Sequence, residues 1–201
     1  MNFESYLNQD WANNVVVPVA LTLLAIATIL AINWRKIRAR WLEWHTHRGL
    51  DKIGIKQIKN AICADGLDGE FEIDRLVMLH DSILVIAFRP YSGNIYCAES
   101  IPEWTQLLDK KSYKFKNPLF ELGNQVSAIQ NYLPGVSIRG VLIFDYSASF
   151  PKGHPERVMR LDNIPESLLH ANCPEPRPEV LKGWDALLKL PLRREQEPLY
   201  Q

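Results

Sequence analysis

Phe71-Glu72-Ile73-Asp74-Arg75-Leu76-Val77-Met78-Leu79, the connection His80-Asp81-Ser82, and Ile83-Leu84-Val85-Ile86-Ala87-Phe88-Arg89 form the stretch that decides the fold. Both runs are rich in β-branched and aromatic side chains, and a short polar break between two such runs predicts an antiparallel hairpin. Neither run alternates cleanly between apolar and polar positions, so both strands are expected to lie buried on two faces.

Working outward, Pro90-Tyr91-Ser92-Gly93 turns the chain and Asn94 to Cys97 reads as a third short strand. Asn117-Pro118 opens a helix with Leu119, Phe120, Leu122, Val126, Ile129 and Leu133 on its apolar side, stopped by Pro134-Gly135. Ser137 to Tyr146 reads as a buried strand, and Arg157 to Leu161 as another after Pro151-Lys152-Gly153. Strand, helix and strand in this order predict an α/β fold, a mixed β-sheet flanked by helices. Upstream, Ile53, Ile55, Ile58, Ala61 and Ile62 match a helical period, ended by the turn-forming Ala64-Asp65-Gly66-Leu67-Asp68-Gly69. Beyond Asn172, Cys173-Pro174-Glu175-Pro176-Arg177-Pro178 reads as a linker, and Glu179 to Leu190 as a terminal amphipathic helix.

Val15 to Ile32 is an uncharged run holding eleven Val, Leu or Ile. As a helix its eighteen residues rise roughly 27 Å, near the ~30 Å of a bilayer's hydrocarbon. Trp11 and Trp34 flank it, and Arg35, Lys36, Arg38, Arg40 and Arg48 follow, whereas residues 1–14 hold Glu4 and Asp10 and no Lys or Arg. The expected division is a short extracytoplasmic N-terminus (1–14), a transmembrane helix (15–34), and a basic amphipathic helix (35–48) whose Arg35 to Arg40 meet anionic lipid. An α/β domain (49–172) and a Pro-rich linker with a C-terminal helix (173–201) follow. The positive-inside rule then places the domain in the cytoplasm, on the inner membrane, by a single pass.

Formal net charge is zero, so any nucleic-acid footprint must be local. Cys63, Cys97 and Cys173 are odd in number and widely spaced, matching no zinc pattern and read as structural thiols. His45 and His47, two apart on a helix, point away from one another and read as interfacial side chains.

The block Glu72-Ile73-Asp74-Arg75-Leu76-Val77, Leu84-Val85-Ile86-Ala87-Phe88-Arg89-Pro90-Tyr91-Ser92-Gly93 and Pro102-Glu103-Trp104-Thr105-Gln106 resembles the nuclease-related domain family, NERD, of the restriction-endonuclease-like superfamily. Asn117-Pro118-Leu119 and Phe150-Pro151-Lys152-Gly153 extend the likeness, which runs from about Gly49 to Asp162. The resemblance implies a metal-dependent phosphodiesterase core: an aspartate on the first hairpin strand, Glu-x-Lys on the second, and a glutamate on the preceding helix. There two carboxylates hold Mg²⁺ against the scissile phosphate and the lysine helps activate water.

Carried over by position, Asp74 matches the aspartate, Ala87 stands at the glutamate, Arg89 at the lysine and Ile55 at the helix glutamate. One carboxylate of the set remains, which predicts poor metal binding, and Arg keeps its charge where Lys can release a proton. Glu72, on the same strand face as Asp74 by period two, is a substitute ligand for Mg²⁺ if the site is active; otherwise no cofactor is expected. Asp74 also qualifies as an ion-pair partner for Arg75 or Arg89 at the sheet edge.

Lys110, Lys111, Lys114 and Lys116, interleaved with Tyr113 and Phe115, read either as a solvated loop or, with Arg89, as a DNA or RNA contact. Tyr91, Gly93, Trp104 and Gln106 resemble family signature positions; physically they read as a turn aromatic, a turn glycine, a packing anchor and a capping amide. Three functional readings result: a catalytically degenerate membrane-held domain that binds nucleic acid or a protein, an active Mg²⁺-dependent nuclease, or a protein-interaction scaffold.

Overall fold

The computed structural model describes residues 17–64, 70–189 and 193–194. The chain divides into two units, residues 1–47 and 48–201. The helix α1, Val17–Leu50, runs without a break from the apolar segment through the basic one. Its Thr22 and Thr28 hydroxyls donate back to Val19 O and Leu24 O, both at 2.8 Å, so neither opens the helix. Leu21, Leu23, Leu24, Ile26, Ile29 and Ile32 are all exposed, and their positions surround the helix axis.

The transmembrane helix expected over 15–34 is not supported by the structure. Among the described residues no helix is long and apolar enough to cross a membrane. The run begins at Val15, outside the described residues, as do the N-terminal 1–14 segment and the expected turn residues Asp65 to Gly69.

In the second unit, β1 (Lys56–Ala64), β2 (Glu70–Met78) and β3 (Ile83–Arg89) are consecutive antiparallel strands. The hairpin is as expected, with Met78 opposite Ile83 and Arg75 opposite Ile86. The helix expected around Ile53 to Ile62 is instead β1, whose pairing with β2 overrides the local period. The short strands β4 (Gly93–Tyr96), β5 (Glu103–Leu108) and β6 (Lys111–Lys116) come next, then α2 (Pro118–Tyr132). Asn117 caps α2, its side chain accepting from Leu119 N at 2.9 Å, with Pro118 in the first turn. Leu119, Leu122 and Ile129 are buried as expected, whereas Phe120 is exposed.

After α2 come β7 (Ile138–Phe144), β8 (Ala148–Ser149), β9 (Val158–Arg160), α3 (Pro178–Lys189) and β10 (Arg193–Arg194). One mixed sheet has the order β10-β1-β2-β3-β7-β9, with β3, β7 and β9 parallel. A smaller sheet has the order β6-β5-β4-β8. The architecture is therefore α/β, with two mixed sheets and flanking helices.

Each face of the large sheet carries its own apolar cluster. Leu76, Met78, Val85 and Ala87 pack with Leu122 and Ile129 of α2 and with Val180, Trp184 and Leu187 of α3. Leu50, Ile53, Val77, Leu84, Ile86 and Val141 form the second cluster, against Leu168 and Cys173. Because α3 contributes to the first cluster, the Pro-rich stretch before it is a connection within the domain. Cys63 is buried among these side chains, which pushes its thiol up to about 11 and keeps it neutral.

Arg75 is the largest buried charge, 3 % exposed, and donates to Asp51 and, at 2.7 Å, to Gln57 Oε1. Lys59 Nζ lies 2.9 Å from Asp51 Oδ1. Burial pushes the Asp51 carboxyl up, but hydrogen bonds and charge from Arg75 and Lys59 outweigh it and hold the group below its ordinary 3.8. A lowered folded value means stabilisation present above the unfolded value and lost as pH falls through the folded one. The melting temperature should therefore fall in acid below about pH 4, and Asp51→Asn should flatten that decline while lowering stability near neutrality by about 1 kcal/mol, because the Asp51 side chain is 43 % exposed and solvent screens its attractions. Equal acid slopes for the two proteins would reject the assignment.

Candidate functional site

Period-two geometry on β3 puts Val85, Ala87 and Arg89 on the face that α2 covers, and the Arg89 guanidinium emerges where β3 ends beside the first turn of that helix. Arg89 Nη1 lies 3.2 Å from Asp74 Oδ2 and donates at 2.9 Å to Phe88 O, while Nη2 lies 3.1 Å from Glu121 Oε2. The guanidinium thus bridges a carboxylate of β2 and one of α2. Asp74 Oδ2 also accepts from Phe88 N at 2.6 Å. That bond replaces a ladder bond, because the β2–β3 pairing stops at Arg75 opposite Ile86.

Ala87 is 3 % exposed and packed in the first cluster, so the expected glutamate position presents a methyl group to α2. Ile55, at the expected helix-glutamate position, lies just before β1 with its N–H donating to Met78 O at 2.8 Å. Glu72 does not join Asp74: Ile73 and Leu76 both turn into the first cluster, breaking the alternation between them. The Glu72 side chain is exposed, and its carbonyl accepts from Gln125 Nε2 at 2.8 Å. The carboxylate that does reach Arg89, on the guanidinium nitrogen that Asp74 leaves open, is Glu121, which the sequence reading missed. Its only local signal, an acid in the first turn of a helix, is ordinary helix-dipole chemistry. Among the described residues, no group of three or more His, Cys, Asp or Glu is gathered to hold a metal ion.

With Arg89 21 % and Asp74 37 % exposed, their attraction is moderated by solvent. Asp74→Ala and Arg89→Ala should each destabilise, and the double variant should fall short of their sum by about 1 kcal/mol in denaturant melts. Additive losses would show that the two side chains do not act as a pair.

The signature positions hold the small sheet together. The Tyr91 ring meets Phe115 edge-on at 4.8 Å; Trp104 is fully buried with Nε1 donating to Ala98 O at 2.9 Å; Gln106 Nε2 donates to Ser92 O at 2.7 Å. Gly93 has φ +81, and a Cβ there would lie 2.6 Å from Leu107 O, so only glycine fits this close approach to β5.

Lys111 to Lys116 form the strand β6 and not a loop. Asp109 and Lys110, with φ of 48 and 68, make the tight turn of the β5–β6 hairpin. Strand alternation then separates the residues that the sequence interleaves. Lys114 and Lys116 pair across from Thr105 and Glu103 on one face, while Lys111, Tyr113 and Phe115 share the face of Leu108, Gln106 and Trp104. Phe115 packs against Trp104 and is not available to stack on a base. Tyr113 is exposed.

Neither a comparison with characterised proteins nor one with solved structures returned a match. The family model of the nuclease-related domain matches residues 37–145, which include the β2–β3 hairpin, Asp74, Arg89, the strands β4 to β6, α2 and β7. With more than half of its length matched, this chain belongs to the nuclease-related domain (NERD) family.

Proposed function

We propose that the chain is a membrane-held NERD protein whose domain is catalytically degenerate and binds nucleic acid. The observation that carries the loss of catalysis is the Arg89 guanidinium lying between Asp74 and Glu121. It supplies a fixed positive charge to the two carboxylates that a divalent ion would need. With Ala87 adding no oxygen, this donor set does not fit Mg²⁺, which takes strict octahedral oxygen geometry.

Membrane attachment is supported by the apolar segment of α1, whose large side chains are exposed all round, an arrangement stable only in an apolar medium. Lys36, Arg38 and Arg40 follow it and suit anionic lipid headgroups. Nucleic-acid binding is supported by Lys114 and Lys116 on one open strand face.

The test incubates the purified full chain with labelled DNA and RNA across Mg²⁺ and Mn²⁺ concentrations. The expected result is binding that weakens steeply between roughly 50 and 200 mM salt, without cut products. Metal-dependent cleavage that Asp74→Ala or Glu121→Ala abolishes would establish the nuclease instead, an outcome favoured by the convergence of those two carboxylates. No nucleic-acid affinity at any salt would leave a protein-binding scaffold.

A further inference from the structure

We propose that the outer face of the small sheet is a binding site for single-stranded nucleic acid, with a base against the Tyr96 ring and backbone phosphates on Lys152, Lys114 and Lys116. This rests on the nucleic-acid reading above and names its ligand class and its site.

The argument begins with strand alternation. Ile95, Trp104 and Phe115 turn one face of the sheet into the apolar cluster. The other face must then carry Asn94 and Tyr96 from β4, Glu103, Thr105 and Leu107 from β5, and Ser112, Lys114 and Lys116 from β6. Tyr96 pairs with Thr105 and Thr105 with Lys114, so these three stand in one row across the strands. At about 4.8 Å per strand, the row sets the aromatic ring roughly 10 Å from the lysine.

The aromatic that shares the lysine face is Tyr96, not the sequence-adjacent Tyr113 or Phe115. Lys152 reaches the same ring from the loop after β8, its Nζ lying 5.8 Å from the ring centre. Between them, Tyr96, Cys97, Ile101, Thr105 and Lys152 line an open cavity of about 370 Å³. Its size lies near the lower end of the roughly 300 to 1,000 Å³ usual for ligand pockets, fitting one base or nucleotide.

The lining suits the two parts of a nucleotide separately. A half-buried ring and the Ile101 side chain offer an apolar surface for a base, and the exposed ammonium offers a counter-charge for phosphate. Burial pushes the Cys97 thiol up to about 11, so it stays neutral and does not repel an anion. Of the described carboxylates, Glu103 is the one on this face, and Lys114 already faces it at 3.8 Å with both side chains exposed. A base within a duplex has its faces covered by its neighbours, so a ring platform selects unstacked, single-stranded bases.

The test is fluorescence anisotropy on the full chain in detergent, with a labelled oligothymidine and a labelled duplex of equal length. The single strand should bind about tenfold tighter, and Tyr96→Ala should weaken it roughly 5- to 100-fold while Tyr96→Phe retains affinity. Lys152→Ala and Lys114→Ala should each flatten the salt dependence by about 0.7 in log–log slope. Lys152→Glu, at an exposed position, guards against a Tyr96→Ala variant that fails to fold, and it must weaken binding too. Equal or tighter duplex binding, or single-strand affinity unchanged in a folded Tyr96→Ala or in Lys152→Glu, overturns this site while nucleic-acid binding elsewhere on the domain stands. Failure of both probes to bind the wild-type chain overturns the nucleic-acid reading together with it.

Discussion

Trp104→Ala lowers the unfolding free energy of the domain by about 3 to 5 kcal/mol, and with it the melting temperature by roughly 10 °C. Trp104 is fully buried and stacked on Phe144 with ring centres 6.3 Å apart, and Phe115 meets it edge-on at 6.1 Å. Phe144 ends β7 of the large sheet and Phe115 lies in β6 of the small one, so the indole is where the two sheets are joined. Removing it leaves a cavity between them and takes the donor from Ala98 O. Calorimetry on the purified chain checks the figure, and a loss below about 1 kcal/mol would mean that the sheets are joined elsewhere. Trp104→Phe, which keeps most of the ring area but not the N–H, should fall between the two proteins.

Gly54→Ala is the second large effect, at about 3 kcal/mol, although it adds a single methyl group. Gly54 has φ +62, and a Cβ there would lie 2.2 Å from Val77 Cγ1 and 2.7 Å from Met78 O, the latter being sheet backbone that cannot step aside. The residue is also tied in place, its N–H donating to Leu168 O at 2.8 Å and its carbonyl meeting His170 Nδ1 at 3.0 Å. Gly123 in the middle of α2 gives the contrast, because a Cβ there meets nothing within 4 Å. Gly123→Ala should stabilise by up to about 1 kcal/mol through helix propensity alone. Denaturant midpoints for the two variants should therefore move in opposite directions, and a shared direction would refute the assignment.

The contrast between these glycines illustrates which parts of the structure were legible in the sequence. The β2–β3 hairpin, α2 with its Asn117 cap, β7, β9 and α3 each carry a local signal that agrees with the tertiary fold, so they were read correctly. β1 was misread as a helix, for a reason that its backbone makes visible. Asn60 has φ 48, which interrupts the alternation of the strand and lets both Ile58 and Ala61 face the same cluster. Two inward residues three apart imitate one face of a helix. The β5–β6 hairpin was hidden because Asp109-Lys110 makes its tight turn without the glycine that usually announces one.

The candidate site divides along the same line. Asp74 is expected to pair with Arg75 or Arg89, and it meets Arg89, whereas Arg75 turns to Asp51 on the other face. That Glu72 would join them failed because the alternation slips between Ile73 and Leu76. Glu121 lies thirty-two residues from Arg89 and comes beside it through the packing of α2, a placement with no trace in local spacing. Tyr96 gave no signal either, since only cross-strand pairing reveals that it shares a face with Lys114.

β6 also has a bearing on solubility. It is an outermost strand of the small sheet among the described residues, so one row of its backbone donors and acceptors is open to recruitment by a strand of another molecule. Three of its six residues are lysines, and two such strands brought side by side would repel. Replacing these lysines with threonine would leave an uncharged, β-prone ribbon, and the chain would then be prone to polymerise through its own rim.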